Sequence, residues 1–159
     1  MGMKIVVIGD SHGNIANIKL VLGFAKKIKA GAIIHCGDWD NLRSVKEIYS
    51  CKIPVYGVLG NADIHQDITE NLKLKAKKFD ENFLRFEIDG RKIGVVHNLV
   101  LSYKLLVASY DVVFCGHRHF KSQRAISGVK VVSPGALHSI EPSFAVYDTG
   151  TNGVEFFDL

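Results

Sequence analysis

One feature near the start of the chain restricts the fold more than any other: an apolar run, a helical segment and a second apolar run. Lys4 to Ile8 is continuous and β-branched, which is typical of a strand buried on both faces. Apolar residues then recur at helical spacing from Ile15 to Ile28, with Asn14 as a candidate N-cap and Gly31 as a stop. Ala32 to Cys36 is the second apolar run. The pattern predicts a βαβ unit with parallel strands, and hence an α/β fold.

The same alternation continues for one more helix and strand. A short helix is predicted from about Asn41 to Ser50, and a third strand runs from Val55 to Leu59. The stretch from Ile64 to Lys78 has weak periodicity and many lysines. It is predicted to be a loop with one helical turn.

The second half of the chain changes from crossovers to hairpins. Asp89-Gly90 and Ser127-Gly128 each separate two apolar runs, which is a strong signal for a tight hairpin turn. A helix is predicted over 99–110, a strand over 111–115 and a closing hairpin over 144–157.

Length and composition limit the classes of function. The 159 residues show no linker or internal repeat, so a single domain over 1–159 is expected. The net charge of +4 is mild, and the lysine clusters lack interleaved aromatic residues; they indicate solvated faces, so a nucleic-acid partner is not expected. No run is long enough to cross a membrane or to act as a signal peptide.

Cysteine usage indicates the compartment. The three cysteines are Cys36, Cys51 and Cys115, and they show no CxxC spacing. They are interpreted as small buried hydrophobic residues of a protein in a reducing environment. We therefore expect the protein in the cytoplasm.

The strand exits carry short polar motifs with potential metal ligands. Each motif directly follows an apolar run: Gly9-Asp10-Ser11-His12-Gly13, Gly37-Asp38, Gly60-Asn61-Ala62-Asp63, Val96-His97-Asn98 and Gly116-His117-Arg118-His119. Any one of them alone is equally compatible with a solvated loop. Because ligand sites in α/β sheets gather at the carboxyl ends of the strands, we expect these motifs to converge.

The motifs contain two carboxylates, four imidazoles and one amide. The residues are Asp10, Asp38, His12, His97, His117, His119 and Asn61. Seven side chains are too many for one tetrahedral ion but suit two ions that share a bridging carboxylate. Nitrogen and oxygen donors without thiolate suit manganese, iron, zinc or nickel, and the donor set alone does not choose among them.

In their order and spacing, the five motifs resemble those of the calcineurin-like metallophosphoesterases, in particular the short single-domain prokaryotic phosphodiesterases of the YfcE type. The resemblance covers essentially the full chain. It implies a four-layer αββα sandwich of two mixed β-sheets flanked by helices. It also implies two divalent ions, manganese first among the candidates, and it makes a homodimer possible.

The resemblance further assigns roles to positions. It implies that Asp10, His12 and His119 hold one ion, that Asn61, His97 and His117 hold the other, and that Asp38 bridges them. Asp38, Asn61 and His97 are the expected catalytic residues. The expected reaction is hydrolysis of a small phosphodiester by a hydroxide that bridges the two ions.

Several residues near the predicted ligands have two interpretations. Asn14 and Arg118 are predicted to contact substrate phosphate, although Asn14 suits a helix cap equally well and Arg118 could point to solvent. His35 is expected in the core or behind the ligands rather than among them. Asp63 is predicted to orient a neighbouring ligand, although a capping role suits it as well. His138 is a weak candidate for lining the pocket.

The chain departs from the family pattern at Ala62. Many members have a histidine there, where it can protonate a leaving group, and the short bacterial ones often have a cysteine. Because Ala62 can do neither, we expect a preference for diesters with good leaving groups over ordinary monoesters.

Two alternatives of other classes follow from the same resemblance. One is a protein-binding scaffold of the Vps29 type, which predicts a damaged ligand set, whereas all seven positions here carry competent ligands. The other is a phosphomonoesterase or nuclease of the same superfamily.

Overall fold

The computed structural model describes residues 1–100 and 109–159, and in them eleven strands and three helices. In chain order these are β1 (Lys4–Ile8), α1 (Ile15–Lys27), β2 (Ala32–His35), α2 (Leu42–Tyr49), β3 (Val55–Val58), α3 (Gln66–Lys75), β4 (Lys78–Asp80), β5 (Phe83–Ile88), β6 (Arg91–Val96), β7 (Val112–Cys115), β8 (Lys121–Ile126), β9 (Val129–Pro134), β10 (Ser143–Asp148) and β11 (Gly153–Asp158). The first sheet has the order β11-β10-β1-β2-β3-β4, and the second has the order β5-β6-β7-β9-β8. Both sheets are mixed, as predicted.

The βαβ unit that opens the chain is confirmed. β1 is parallel to β2, and β2 is parallel to β3. The Asn14 side chain caps α1 by accepting a hydrogen bond from the backbone N–H of Asn17 at 3.1 Å, and the Asn41 side chain caps α2 in the same way through Ser44. Both caps satisfy N–H groups that have no partner inside the helix.

The prediction of a loop over 64–78 is wrong. The segment forms α3 and then β4, which pairs in parallel with β3. Ile68 and Leu72 are the buried residues of α3, and a spacing of four residues places them on one helical face. The third apolar residue of α3, Leu74, is exposed, so the periodic signal is too weak to predict a helix from sequence alone.

The predicted hairpins are confirmed, and their turns have the expected geometry. Asp89 and Gly90 have φ of 52° and 76°, and Ser127 and Gly128 have φ of 50° and 79°. Two successive residues with positive φ define the type I′ turn, which matches the twist of the flanking strands. Most of the helix predicted over 99–110 lies outside the described residues, since 101–108 are not described.

The strands alternate between two hydrophobic layers. Val6 and Ile8 of β1 pack with residues of all three helices, whereas Ile5 and Val7 face the second sheet. A third cluster, which includes Val131, lies on the outer face of the second sheet. The described residues therefore form a helical layer and two packed sheets; the predicted helical layer over the outer face of the second sheet falls on the residues that are not described.

Two sequence expectations concern the environment of the protein. The three cysteines are free and buried, as predicted. Within the described residues, no helix combines the length and the apolar character that a membrane crossing requires. The single domain over 1–159 stays a prediction.

Candidate metal centre

The predicted ligands come from both sheets. Loops after β1, β2 and β3 supply Asp10, His12, Asp38 and Asn61, and loops after β6 and β7 supply His97, His117 and His119. The structure brings all seven side chains together in two neighbouring groups joined by Asp38.

The first group contains Asp10, His12, Asp38 and His119. One ligand atom from each lies within 4.8 Å of the others. His119 Nε2 is 3.2 Å from Asp10 Oδ1, and His12 Nε2 is 3.3 Å from Asp38 Oδ2. Four nitrogen and oxygen donors this close together can hold one divalent ion.

The second group is centred on the amide of Asn61. Its Oδ1 lies 2.9 Å from His97 Nε2 and 3.1 Å from His117 Nδ1. His97 Nδ1 is 2.8 Å from the carbonyl oxygen of Cys36; since a carbonyl only accepts, Nδ1 carries the proton. Burial lowers the pKa of His97, which favours the neutral ring. In that form, the lone pair of Nε2 faces Asn61 Oδ1. A cation between them would resolve this contact.

Asp38 connects the two groups. Its Oδ2 is 3.3 Å from His12 Nε2 in the first group and 3.4 Å from His97 Nε2 in the second. Its Oδ1 accepts a hydrogen bond from the backbone N–H of Ala62 at 2.9 Å. The carboxylate is therefore oriented toward both sets of donors.

The polar atoms of the first group fit a metal ion. His12 Nε2 is buried and has no hydrogen-bond partner among the described residues, because its contact with Asp38 is close but poorly aligned. Asp10 is fully buried, and burial, together with the neighbouring Asp38, raises its pKa to about 8. Buried carboxylates and unpartnered lone pairs without a nearby positive charge are costly, and a divalent cation supplies that charge.

The backbone at the ligands is strained. Five of the seven have positive φ, between 39° and 72°: Asp10, His12, Asp38, His117 and His119. Each such residue costs about 1–3 kcal/mol and persists only where its surroundings impose the conformation. Such residues cluster at functional sites, which supports the choice of this region as the candidate site.

Asp63 orients the Asp38 loop, as predicted. Its Oδ2 accepts hydrogen bonds from the backbone N–H groups of Asp38 at 2.9 Å and of Gly60 at 2.8 Å. Its Oδ1 accepts a third from Asp40 at 2.8 Å. One carboxylate thus fixes the loops after β2 and β3, which carry Asp38 and Asn61.

A buried chain of hydrogen bonds through Ser11 was missed in the sequence. The Gly37 N–H donates to His35 Nδ1 at 3.1 Å, so His35 Nε2–H donates to Ser11 Oγ at 3.0 Å. Ser11 Oγ then donates to the carbonyl oxygen of Asp38 at 3.3 Å. The position of Ser11 between two predicted ligands was the available signal, and His35 lies behind the ligands as expected.

The turn after β7 approaches the first group closely. The His117 backbone N–H donates to the Asp10 carboxylate, 3.1 Å from each oxygen. A Cβ at Gly116 would lie 2.8 Å from Asp10 Oδ2. Glycine is therefore required for the two sheets to meet at this point.

The remaining candidates lie around the ligands. The Asn14 oxygen is used in the cap of α1, and its contact with substrate stays a prediction. Arg118 is exposed beside the site, and its phosphate contact likewise stays a prediction. The exposed ring of His138 is 5.5 Å from the ring of His12, which places this weak candidate at the rim of the site.

Comparisons with known proteins identify the family of the chain. The model of the calcineurin-like phosphoesterase superfamily domain matches residues 3–152. Phosphodiesterase MJ0936 from Methanocaldococcus jannaschii is 29% identical over 138 residues, which cover 84% of this chain and 83% of that protein.

Solved structures show the same fold. A structure described as a novel archaeal phosphodiesterase is 27% identical, with a TM-score of 0.88 over 99% of this chain and all of that one (100%). Vacuolar Protein Sorting 29 (Vps29) from Cryptosporidium parvum is 20% identical, with a TM-score of 0.69 over 99% of this chain and 98% of that one; this likeness concerns the fold alone. Because the superfamily model spans nearly all of it, the chain belongs to the calcineurin-like phosphoesterase superfamily and is a hydrolase.

Proposed function

We propose that the protein is a metal-dependent phosphodiesterase that acts on a small phosphodiester. The observation that carries this proposal is the position of Asp38, whose carboxylate reaches His12 in one ligand group and His97 in the other. One shared carboxylate between two donor sets is the arrangement that a two-metal hydrolase needs. The relative from M. jannaschii is itself named a phosphodiesterase.

The ligands divide into two sets in this proposal. Asp10, His12 and His119 hold one divalent ion, Asn61, His97 and His117 hold the other, and Asp38 bridges them. Manganese is the first candidate, and nickel, zinc and iron match the same donors. When bound, the ions supply Lewis acidity, which makes hydroxide available near neutral pH and offsets charge on the phosphate.

The residues of the chain hold these donors in place before substrate arrives. The carbonyl of Cys36 fixes the proton of His97 on Nδ1 and leaves Nε2 for a ligand bond. Asp38 is held by a hydrogen bond from the backbone N–H of Ala62. Asn61 is held by its position between two imidazoles. Asp38, Asn61 and His97 are therefore proposed as the catalytic residues.

The substrate preference is argued from Ala62. Its backbone N–H is used by Asp38, and its methyl group has no proton to give to a leaving group. An alkoxide with a high pKa then leaves without assistance from this position. The proposal therefore favours diesters with good leaving groups, such as aryl phosphodiesters or cyclic phosphates, over ordinary monoesters.

The test compares an aryl phosphodiester with the matching monoester. Protein stripped of metal is refilled with manganese, nickel, zinc or magnesium, and bound metal per chain is counted alongside turnover. We expect two ions per chain and metal-dependent hydrolysis that favours the diester. A His117→Ala variant controls for a contaminating enzyme, because it removes one proposed ligand and is expected to lose the activity.

The same experiment separates the alternatives. Protein that binds two ions and hydrolyses neither ester would support a scaffold of the Vps29 type. Preference for the monoester would favour a phosphomonoesterase and contradict the role given to Ala62. A separate assay tests the nuclease: retention on DNA that weakens steeply over a salt series would point to it.

Location and assembly belong to the proposal as well. Three free buried thiols are typical of a reducing compartment, which supports a cytoplasmic location. A homodimer is supported by the family resemblance and is tested by the molar mass in solution.

A further inference from the structure

A second, enclosed cavity lies beside the metal-binding groups, on the outer face of the second sheet. Its volume is about 100 Å³, enough for roughly three water molecules or one small oxyanion. The turn with His117 forms one side of it. The polar residues that matter for its chemistry are Cys115, Arg118, Ser122, Arg124 and Ser133, and we call it the arginine pocket.

The pairing of β8 and β9 builds this pocket. Ser122 lies opposite Ser133, and Arg124 lies opposite Val131, in the antiparallel register. Because side chains alternate along a strand, these four residues share one face of the sheet. The Arg118 side chain, from the turn after β7, also borders the pocket.

Ser133 gives the pocket an unused hydrogen-bonding group. The residue is only 3% exposed, and its Oγ has no hydrogen-bond partner among the described residues. A buried hydroxyl without a partner costs about 1–3 kcal/mol. Ser133 lines the pocket, so its hydroxyl lies at the pocket wall, and a ligand there becomes its partner when the side chain rotates.

The two arginines are not neutralised. Neither forms an ion pair with a described residue, and the segment 101–108 contains no aspartate or glutamate. Arg91, by contrast, pairs with Asp111 and donates to two backbone carbonyls. The guanidinium group keeps its charge at any physiological pH, so the pocket has a permanent positive rim.

The floor of the pocket is apolar. Val131 and Cys115 are buried, and apolar surroundings strengthen the interaction between the arginines and an anion.

We propose that the arginine pocket binds an oxyanion, a phosphate or carboxylate, as a second anionic group of the substrate. Two planar guanidinium groups suit bidentate binding of an oxyanion, and the hydroxyls of Ser122 and Ser133 donate to its remaining oxygens. That the molecule carrying this oxyanion is the substrate rests on the proposed phosphodiesterase function. The anion site itself does not depend on that function.

The position of the pocket limits the substrate. His117 belongs to the proposed metal ligands and also borders the pocket. A substrate that fills both sites therefore carries its second anion on a short chain, a few bonds from the diester phosphorus. Free inorganic phosphate has the same chemistry and is the other possible occupant.

The anion site is tested first by direct binding, with inorganic phosphate as the probe and calorimetry as the readout. The full chain is used after chelation, so that bound metal does not contribute. We expect saturable binding of one phosphate, weakened at least tenfold by Arg124→Gln and also by Ser133→Val. Arg85→Gln is the matched control, because Arg85 is an exposed arginine on β5, at the opposite edge of the same sheet. Binding that is absent, or unchanged in Arg124→Gln, overturns the proposal.

A pair of substrates then tests whether the anion is part of the substrate. In the metal-loaded enzyme, kcat/KM is compared for an aryl phosphodiester with a carboxypropyl group and for its uncharged carbamoylpropyl analogue. We expect the carboxylate to be preferred about tenfold, and Arg124→Gln to remove the preference without slowing the analogue.

The two proposals fail in different ways. If phosphate binds through Arg124 but neither ester is hydrolysed, the phosphodiesterase function fails and the anion site stands. If both esters are hydrolysed at the same rate by wild type and Arg124→Gln, the function stands. In that case the arginine pocket binds free phosphate only, and the proposal that it binds an anionic group of the substrate is overturned.

Discussion

Asp63 shows how much of the site depends on a residue outside the ligand set. Three backbone N–H groups converge on its carboxylate, from the loops that carry Asp38 and Asn61. Burial raises the pKa of Asp63, and the hydrogen bonds from Gly60, Asp40 and Asp38 oppose this shift. The carboxylate is therefore stabilised by backbone donors rather than by a positive side chain.

We predict that Asp63→Asn lowers metal affinity and activity by about 10–100-fold while the fold is kept. The amide has one oxygen for three donors, so its NH₂ group must face at least one of the backbone N–H groups. Loss of a residue that orients ligands has effects of this size. Metal titration and circular dichroism measure the two parts. Asp67→Asn, on the exposed start of α3, is the control, and equal affinity in both variants would contradict the role of Asp63.

His35 gives the folded chain a dependence on pH. Burial, with the neighbouring His97 and His12, lowers its pKa well below the ordinary value of 6.5. The folded state therefore keeps His35 neutral, whereas the unfolded state binds a proton below pH 6.5. The contribution of His35 to the free energy of unfolding is therefore complete above pH 6.5. It decreases as the pH falls, by up to about 1.4 kcal/mol per pH unit.

We predict that His35→Gln is less stable than wild type at pH 7.5 but loses less stability between pH 6.5 and 5. Glutamine can still accept from Gly37 and donate to Ser11, but it cannot be protonated in this range. Chemical denaturation at several pH values gives the two slopes. His65→Gln, in an exposed loop, should keep the wild-type slope, and parallel curves for all three proteins would contradict the prediction.

At the scale of elements, sequence reasoning succeeded where one physical signal dominated. Buried parallel strands were recognised because continuous β-branched runs are typical of strands covered on both faces. Hairpins were recognised because Asp89-Gly90 and Ser127-Gly128 suit positive φ. α3 was missed because its helical face buries only Ile68 and Leu72. β4 was missed because Phe79 is its only partly buried side chain, and the strand is held mainly by backbone pairing with β3.

Two glycines in regular elements should respond oppositely to alanine. At Gly57 of β3, a Cβ would lie 2.8 Å from Cζ2 of Trp39, which is fully buried and donates from Nε1 to the carbonyl of Val58. We predict that Gly57→Ala destabilises the fold by about 1–3 kcal/mol through overpacking. Gly23→Ala in α1 meets no atom within 4 Å and should stabilise by about 0.5–1 kcal/mol. Thermal unfolding compares them. An unchanged or raised Tm in Gly57→Ala would refute the overpacking at Gly57, and a lowered Tm in Gly23→Ala would contradict the prediction for α1.

At the scale of the whole molecule, the candidate site depends on strand order. The sequence indicated which residues could bind metal and that strand exits could converge. It did not indicate that Asp38 contacts both groups, because this depends on two sheets packing with their strand ends at one edge. The left-handed backbone at Asp10, Asp38 and His117 was equally unpredictable, since only tertiary contacts impose it.

Since the first sheet supplies Asp10 and Asp38 and the second supplies His97, bound metal should join the two sheets. We predict that metal at 100 times its dissociation constant stabilises the fold by about 2.7 kcal/mol per site, which raises Tm by about 5–10 °C for a chain of this size. Hydrogen exchange should slow at the ends of β2 and β6 together. In His97→Ala, metal should protect the end of β2 less, because the shared carboxylate loses a partner on the other sheet. If protection from hydrogen exchange stays confined to one sheet, the two ligand groups act separately, and the proposed bridging role of Asp38 is contradicted.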